Sequence, residues 1–170
     1  MIPELIFFDA EFSSLDPKRG EMLSLGFITT TGEELYLELE HEGYISPWAT
    51  EHVLPYLKGP KVARPEARKQ IAGFLGTNQP RLISYVNAYD VLYMHKLFEV
   101  DENTKLLPYN WLSLDFASVL FAKGYKPDIM VTAERQPFMQ RIGIDNSKFR
   151  EHHALDDAKL LKEVYLKLQK

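Results

Sequence analysis

Cysteine is absent from the 170-residue sequence, and basic residues are not in excess. Without cysteine there is no disulfide scaffold, no thiol chemistry and no cysteine-ligated zinc, which fits a reducing compartment. Against 20 lysines and arginines stand 24 aspartates and glutamates, which gives a formal net charge of -4. This balance disfavours a protein that coats nucleic acid or a membrane surface by bulk charge.

Long apolar runs and targeting signals are also missing. No uncharged stretch approaches the roughly 20 residues that a membrane-spanning helix needs. Glu4, Asp9 and Glu11 stand where a secretory signal peptide would be basic and then apolar. We therefore expect a soluble, cytoplasmic protein with no membrane partner.

The composition is that of an ordinary globular protein, with 45% hydrophobic and 26% charged residues. A chain of this length buries a sizeable core without help from disulfides. No internal repeat, low-complexity segment or linker divides it. These properties predict one domain over residues 1–170.

The apolar pattern of the first forty residues is typical of strands. Apolar runs cover residues 5–8, 22–30 and 35–39, and the Thr31-Gly32 step before the third run favours a tight hairpin turn. The pattern predicts three strands in an antiparallel meander.

The rest of the chain alternates between helical and extended patterns. Helical spacing of apolar residues is found within 65–75, from about 88 to 98, before Gly124 and within 155–168, and residues 81–86 have the pattern of a short buried strand. A helix over about 129–141 is also predicted, bent or broken at Pro137. Together the patterns predict an α/β fold in which a mixed sheet, the antiparallel meander plus parallel strands, is flanked by helices.

Two acids on the first strand are the first chemical signal. Asp9 and Glu11 are two residues apart, so their side chains leave a strand on the same face. Two buried anions need a compensating cation, and Mg²⁺ or Mn²⁺ takes oxygen ligands of this kind. The alternative is that the strand ends at Phe8 and both acids point into water.

Further acids and a histidine stand at two helix beginnings. Asp90 follows a predicted strand and lies in the first turn of the next helix, where an acid also suits the helix dipole without any function. His152 precedes Asp157 by five positions at the start of the last helix, and this pattern too fits a simple acidic N-terminus.

In combination, the three segments resemble the DEDDh exonucleases, the DnaQ-like branch of the ribonuclease-H-like fold. The matching residues are Asp9-Ala10-Glu11 on the first strand, Asp90 at a strand-to-helix junction, and His152-His153-Ala154-Leu155-Asp156-Asp157-Ala158 at the last helix. The resemblance implies two Mg²⁺ or Mn²⁺ ions held by Asp9, Glu11, Asp90 and Asp157. It implies His152 as general base, and release of 5′-mononucleotides from a 3′ end.

Four sequence segments resemble a narrower group among the DEDDh enzymes, the polyadenylate-preferring exoribonucleases called RNase AS. The segments are DAEF, LSLGFITTTGEELY, SPWATEHVLPYL and NAYDVLYMHKLF, and Phe12 stands where most relatives have Thr. This resemblance implies single-stranded RNA as the substrate and a homodimer as the assembly. A DNA exonuclease and an inactive nucleic-acid-binding module of the same fold are the alternatives.

The histidine doublet leaves a choice between two spacings. His152 gives the four-residue gap to Asp157 of the histidine branch, whereas His153 gives the three-residue gap found with tyrosine in the tyrosine branch. Ala154 and Ala158 align the motif on His152, which we choose. His153 and Asp156 are then without an assigned role.

Aromatic and basic residues near the motifs are candidates for substrate binding, because single strands are held by stacking and by cations. Residues 123–150 carry six cations against three anions and lead directly into the His152 motif. Trp48 and Trp111 are interpreted as packing residues in preference to a base platform. The predicted substrate-binding residues are Phe12, Tyr89, Tyr93, Arg135 and Arg141.

Overall fold

The computed structural model describes residues 4–104 and 106–169. In this part of the chain a six-stranded sheet runs through the centre in the order β4-β3-β2-β1-β5-β6. The strands are β1 (Leu5–Phe12), β2 (Met22–Thr29), β3 (Glu34–Leu39), β4 (Lys61–Val62), β5 (Arg81–Ser84) and β6 (Leu114–Asp115).

The sheet is mixed, as the sequence predicts. β1, β2 and β3 pair as an antiparallel meander, whereas β5 lies parallel to β1, β6 parallel to β5, and β4 parallel to β3. The turn between β2 and β3 contains Gly32 at a φ of 103°, a left-handed conformation that glycine adopts without strain. The predicted hairpin at Thr31-Gly32 is therefore confirmed.

Helices cover both faces of the sheet. The α-helices are α1 (Pro47–His52), α2 (Arg64–Leu75), α3 (Ala88–Leu97), α4 (Phe116–Ala122), α5 (Arg135–Arg141) and α6 (Ala154–Leu168). One core joins the sheet to α2 and α3 through Ile6 and Phe8, and the other joins it to α4, α5 and α6 through Phe7. In the described part of the chain, no helix has both the length and the apolar character that a membrane span requires.

Two element boundaries differ from the sequence prediction, and a third decides between its two alternatives. β1 continues to Phe12, so the alternative in which the strand ends at Phe8 is wrong. β5 ends at Ser84 because Val86 has a left-handed φ of 54°, which a strand does not accommodate. The helix predicted over 129–141 begins only at Arg135, and Pro137 lies in its first turn, where a missing N–H breaks no hydrogen bond.

Gly26 on β2 sets the distance between the sheet and α6. It lies opposite Asp9 in the pairing register of β1 and β2. A Cβ atom at this position would lie 2.4 Å from the backbone N and Cα of Leu155, closer than real contacts allow. The start of α6 therefore rests on bare backbone, next to the acidic end of β1.

Replacing Gly26 by alanine should separate α6 from the sheet. We expect Gly26→Ala to lower the free energy of unfolding by about 2 kcal/mol or more, the usual cost of overpacking. Gly73→Ala is the matched control, because Gly73 lies inside α2 with open space around it. The control should gain about 0.5 to 1 kcal/mol, since alanine favours the helix. Equal effects of the two changes in urea denaturation would contradict the close packing at Gly26.

Candidate metal centre

Two acidic side chains leave the end of β1 on the side of α6. Residues along a strand alternate between faces, so Asp9 and Glu11 share the face of Phe7, which packs in the core beneath α6. Glu11 is only 8% exposed, and Asp9 is partly buried. The strand thus carries both carboxyl groups into the protein.

A third acid reaches the same place from α6. Asp157 lies in the first turn of this helix, which begins over Gly26. One oxygen from each of Asp9, Glu11 and Asp157 lies within 4.8 Å of the other two. Among the residues that the structure describes, this is the one group of acids and histidines close enough to share a metal ion.

Asp90 approaches the same strand from α3. It lies in the first turn of that helix, is 4% exposed, and accepts a hydrogen bond from the backbone N–H of Ala10 at 3.2 Å. The parallel pairing of β1 with β5 stops before Ala10, because β5 ends at Ser84. Asp90 therefore provides the hydrogen-bond acceptor for Ala10 that the neighbouring strand does not. Its carboxyl group is thereby anchored to the strand between Asp9 and Glu11.

Burial raises the pKa of all four acids, and repulsion adds to the effect at Asp9 and Glu11. Burial, followed by repulsion from Asp157 and Asp90, raises the pKa of Glu11 to about 8. Burial raises the pKa of Asp90 and of Asp157 to about 7, and it raises the pKa of Asp9 well above its usual range, with the other three acids adding repulsion. The four groups are not all ionised near neutral pH unless a cation compensates them. Their hard oxygen ligands fit Mg²⁺ or Mn²⁺.

His152 lies beside these acids on the loop before α6. Its backbone has a left-handed φ of 58°, which is uncommon outside glycine and is often found at functional sites. Its ring meets Trp48 edge to face, with 4.9 Å between ring centroids. Burial lowers the pKa of His152, so the imidazole is neutral near pH 7 and able to accept a proton.

His153 has a different place from its neighbour. It is 7% exposed, caps α6 by accepting from the N–H of Asp156, and stacks on Tyr36 with 4.6 Å between centroids. Arg150 closes the loop by donating from Nε to Asp156 at 2.6 Å. This clasp of Arg150, His153 and Asp156 holds the loop in place while His152 lines the cavity. The structure thus places His152, and not His153, beside the acids.

A cavity of about 560 Å³ opens at the acid cluster. Asp9, Glu11, Asp157 and His152 contribute to its lining. Much of the remaining lining is apolar, which suits a ligand with one flat or apolar part and one part that binds metal. The apolar lining includes Phe12, Leu15, Trp48, Met130 and Val131.

Phe12 and Tyr93 are both predicted to bind substrate, but Phe12 lines the cavity and Tyr93 does not. The pairing register shifts between Glu11 and Phe12, where β1 ends, so the simple alternation of strand faces stops at this point. The Phe12 ring stacks on Tyr93 with 4.2 Å between centroids. Tyr93 is fully buried and donates its hydroxyl to the carbonyl of Ser14. The prediction that Tyr93 contacts substrate is therefore wrong, because its ring has no exposed surface.

The other predicted substrate contacts separate in the same way. Arg135 lines the cavity, whereas Tyr89 and Arg141 do not. The Arg141 guanidinium lies at the far end of α5, 5.5 Å from the ring centroid of Tyr125. This position argues against a contact between Arg141 and a phosphate in the cavity. Tyr89 is 41% exposed on the surface of α3.

Both tryptophans are exposed, so the interpretation of them as packing residues is wrong. Trp48 is 51% exposed and lines the cavity, because α1 begins at Pro47 beside it. Trp111 is 78% exposed and lies outside the lining. Sequence reasoning also missed Leu15 and Glu151, which no motif marks. An apolar residue shortly after the acidic strand was the available signal for Leu15.

Comparison with known proteins establishes the fold. No family model and no curated protein sequence matches the chain. The structure of E. coli exonuclease I with a dT13 oligonucleotide matches with a TM-score of 0.71 at 16% identity, covering 98% of this chain and 40% of that one. Exonuclease I from Methylocaldum szegediense matches with a TM-score of 0.69 at 14% identity and the same coverage.

A smaller protein shows the same likeness. S. pombe Pop2p, in its Mg²⁺ and Mn²⁺ bound form, matches with a TM-score of 0.61 at 13% identity, covering 98% of this chain and 83% of that one. The chain spans about 40% of the length of the exonuclease I structures. The predicted ribonuclease-H-like fold, a mixed sheet flanked by helices, is thereby confirmed.

The raised pKa values predict that the metal-free protein loses stability as the pH rises. The carboxyl groups keep their protons in the folded protein up to a pKa of about 7 to 8, but lose them near pH 4 when unfolded. The contribution of these groups to the free energy of unfolding is fully present below about pH 4 and is lost as the pH rises through 7 to 8. Unfolding in EDTA should become easier over this range, and Mg²⁺ at about 100 times its Kd should restore about 3 kcal/mol.

Asp9→Asn removes one of the four repelling groups and tests the same electrostatics. In EDTA at about pH 8 the variant should be more stable than the parent protein, and Mg²⁺ should stabilise it less. Asp128→Asn is the control, since Asp128 is exposed and outside the cluster. An Asp9→Asn protein that is less stable than the parent in EDTA, or that keeps the whole Mg²⁺ effect, would contradict the metal centre.

Proposed function

We propose that this protein is a metal-dependent 3′-to-5′ exonuclease that acts on single-stranded nucleic acid. The observation that carries the proposal is the convergence of Asp9, Glu11 and Asp157 within 4.8 Å, with His152 on the same cavity. Structures of the same fold support it, since Pop2p holds Mg²⁺ and Mn²⁺, and exonuclease I is described with single-stranded DNA.

The proposed cofactors are two Mg²⁺ or Mn²⁺ ions. Asp9, Glu11 and Asp157 would hold one ion, and Asp90 together with Asp9 would hold the second. When bound, two such ions supply an activated water and neutralise charge on the phosphate and on the departing oxygen. The chain itself contributes the four carboxyl groups, oriented by β1, α3 and α6 before any ligand arrives.

The reaction is hydrolysis of the last phosphodiester. The oxygen of water bonds to phosphorus, and the bond from phosphorus to the preceding O3′ breaks. A 5′-mononucleotide leaves, and the departing O3′ takes a proton from solvent water to become the new 3′-hydroxyl of the shortened strand. His152, neutral near pH 7 because burial lowers its pKa, accepts the proton that the attacking water loses. Phe12, Leu15 and Trp48 would hold the terminal base on the apolar side of the cavity.

Single-stranded RNA with adenylate preference is the narrower form of the proposal. Its support is the sequence resemblance to RNase AS, including Phe12 after Glu11. DNA is the second candidate substrate, because exonuclease I with dT13 matches 98% of the chain and a two-metal site does not by itself distinguish sugars. A homodimer and a cytoplasmic location, implied by resemblance and composition, stay predictions.

The substrate is tested with strands that carry a label at the 5′ end. With Mg²⁺, oligo(A) should shorten stepwise from the 3′ end, faster than oligo(U), and the released product should be the 5′-mononucleotide. EDTA should stop the reaction, and single-stranded DNA should be cut more slowly. Faster cleavage of DNA would overturn the RNA assignment. Binding of RNA without cleavage of any strand would favour an inactive binding module.

The site is tested with two variants that lose activity in different ways. Asp157→Asn should cost at least about 100-fold in kcat and weaken metal binding, because it removes the negative charge of one ligand. His152→Ala should slow the chemical step by about 10²- to 10⁴-fold while metal binding, followed by Mn²⁺ titration, stays close to normal. Glu163→Gln on the exposed face of α6 is the control and should keep full activity. Normal turnover in His152→Ala would remove His152 from its role.

A further inference from the structure

We propose that Arg135 binds a phosphate of the substrate strand, and that Glu151 is the exchangeable partner that holds Arg135 until this phosphate arrives. The inference rests on the proposed function, since it assumes a phosphodiester in the cavity. It assigns to Glu151 a role in substrate binding that neither the motifs nor the metal centre contains.

Arg135 is placed where a backbone phosphate would need a cation. Among the described residues that line the cavity, it is the only lysine or arginine. Its side chain is 18% exposed, and Nη2 donates to the side-chain oxygen of Asn146 at 3.3 Å. Nε is buried without a hydrogen-bond partner in the described part of the chain. The guanidinium is therefore held in the cavity wall with donors still unused.

Glu151 pairs with this guanidinium from the solvent side. Its Oε1 lies 2.9 Å from Nη1 of Arg135, and its own side chain is 57% exposed. Glu151 also lines the cavity and directly precedes His152 in the chain. An ion pair with one partner this exposed contributes little to stability. Glu151 can therefore turn into water at small cost.

Charge explains why the partner should change when the substrate arrives. A phosphodiester carries a negative charge, and Arg135 offers it a cation on the cavity wall besides the proposed metal ions. A phosphate offers two oxygens to a guanidinium and forms a strong charge-assisted pair. Without substrate, Glu151 is the anion that contacts the guanidinium, at 2.9 Å. The two anions therefore compete for the same cation.

Equilibrium binding tests this competition. The probe is a fluorescein-labelled oligo(A) RNA strand, measured by anisotropy in Ca²⁺ at several salt concentrations, with a gel to show that the strand stays intact. Arg135→Ala should weaken binding about 10-fold and reduce the slope of log affinity against log salt by about 0.7, the effect of one lost phosphate contact. Glu151→Gln should strengthen binding about 3- to 10-fold, because it removes the competitor.

The matched control is Glu134→Gln. Glu134 directly precedes Arg135 but pairs with Lys126 on the surface, outside the cavity lining. The change removes the same charge and should alter affinity less than about twofold. In the Arg135→Ala background, Glu151→Gln should add nothing, since there is no guanidinium left to release.

Each other outcome overturns the inference. If Glu151→Gln strengthens binding equally without Arg135, Glu151 only repels the strand. If Glu151→Gln weakens binding, the ion pair is part of the bound structure. If Arg135→Ala binds like the parent protein while the parent degrades RNA, the inference fails and the proposed function stands. If the parent neither binds nor degrades any strand, both fail.

Discussion

Four carboxyl groups are enclosed around the end of β1, and the cost of ionising them there shapes the rest of the structure. Burial is the largest cause of their raised pKa values, and repulsion from neighbouring acids adds to it. A chain that gained only stability from this strand would place apolar residues at these positions, as it does at Phe7 and Phe8. The acids at these positions are instead suited to a divalent cation, as the proposed function requires.

The position of α6 is the second requirement, because Asp157 has to meet two acids from the other end of the chain. Gly26 lets the helix touch the sheet, and the clasp of Arg150, His153 and Asp156 fixes its first turn. Tyr36 on β3 extends this support by stacking on His153 and donating to the buried Glu38. His152 has a strained left-handed backbone, and the contact of its ring with the edge or face of Trp48 helps to keep that ring on the cavity.

The likeness to exonuclease I and Pop2p concerns the arrangement of the chain, and a fold of this kind can serve several activities. What connects this chain to nuclease chemistry is the set of side chains at one point. Acids for a divalent cation, a neutral histidine, an apolar wall and one arginine line a single cavity. In the proposed reaction these groups would face, in the same order, the phosphate, the attacking water, the base and the backbone of the strand.

Local patterns predicted much of this structure. The meander, the hairpin at Gly32 and the acids on β1 follow from alternation with a period of two, which depends on neighbouring residues. The predictions for the start of α5 and for the end of β5 differ from the structure. Whether Pro137 lies in a first turn, and whether Val86 is left-handed, depends on packing with distant segments, which a local pattern does not contain. The choice of His152 over His153 came from motif spacing, and the reason for it is visible only in the cap of α6.

The sequence by itself determined which chemical groups are present and in what order, namely three acidic segments and a histidine before the last helix. Only the tertiary structure decided which of them meet and which residues join them. Trp48 and Glu151 line the cavity while Tyr93 is buried, although no spacing distinguishes them. The physical reason is that contact between distant segments depends on packing distances, such as the missing Cβ of Gly26, that no local pattern records.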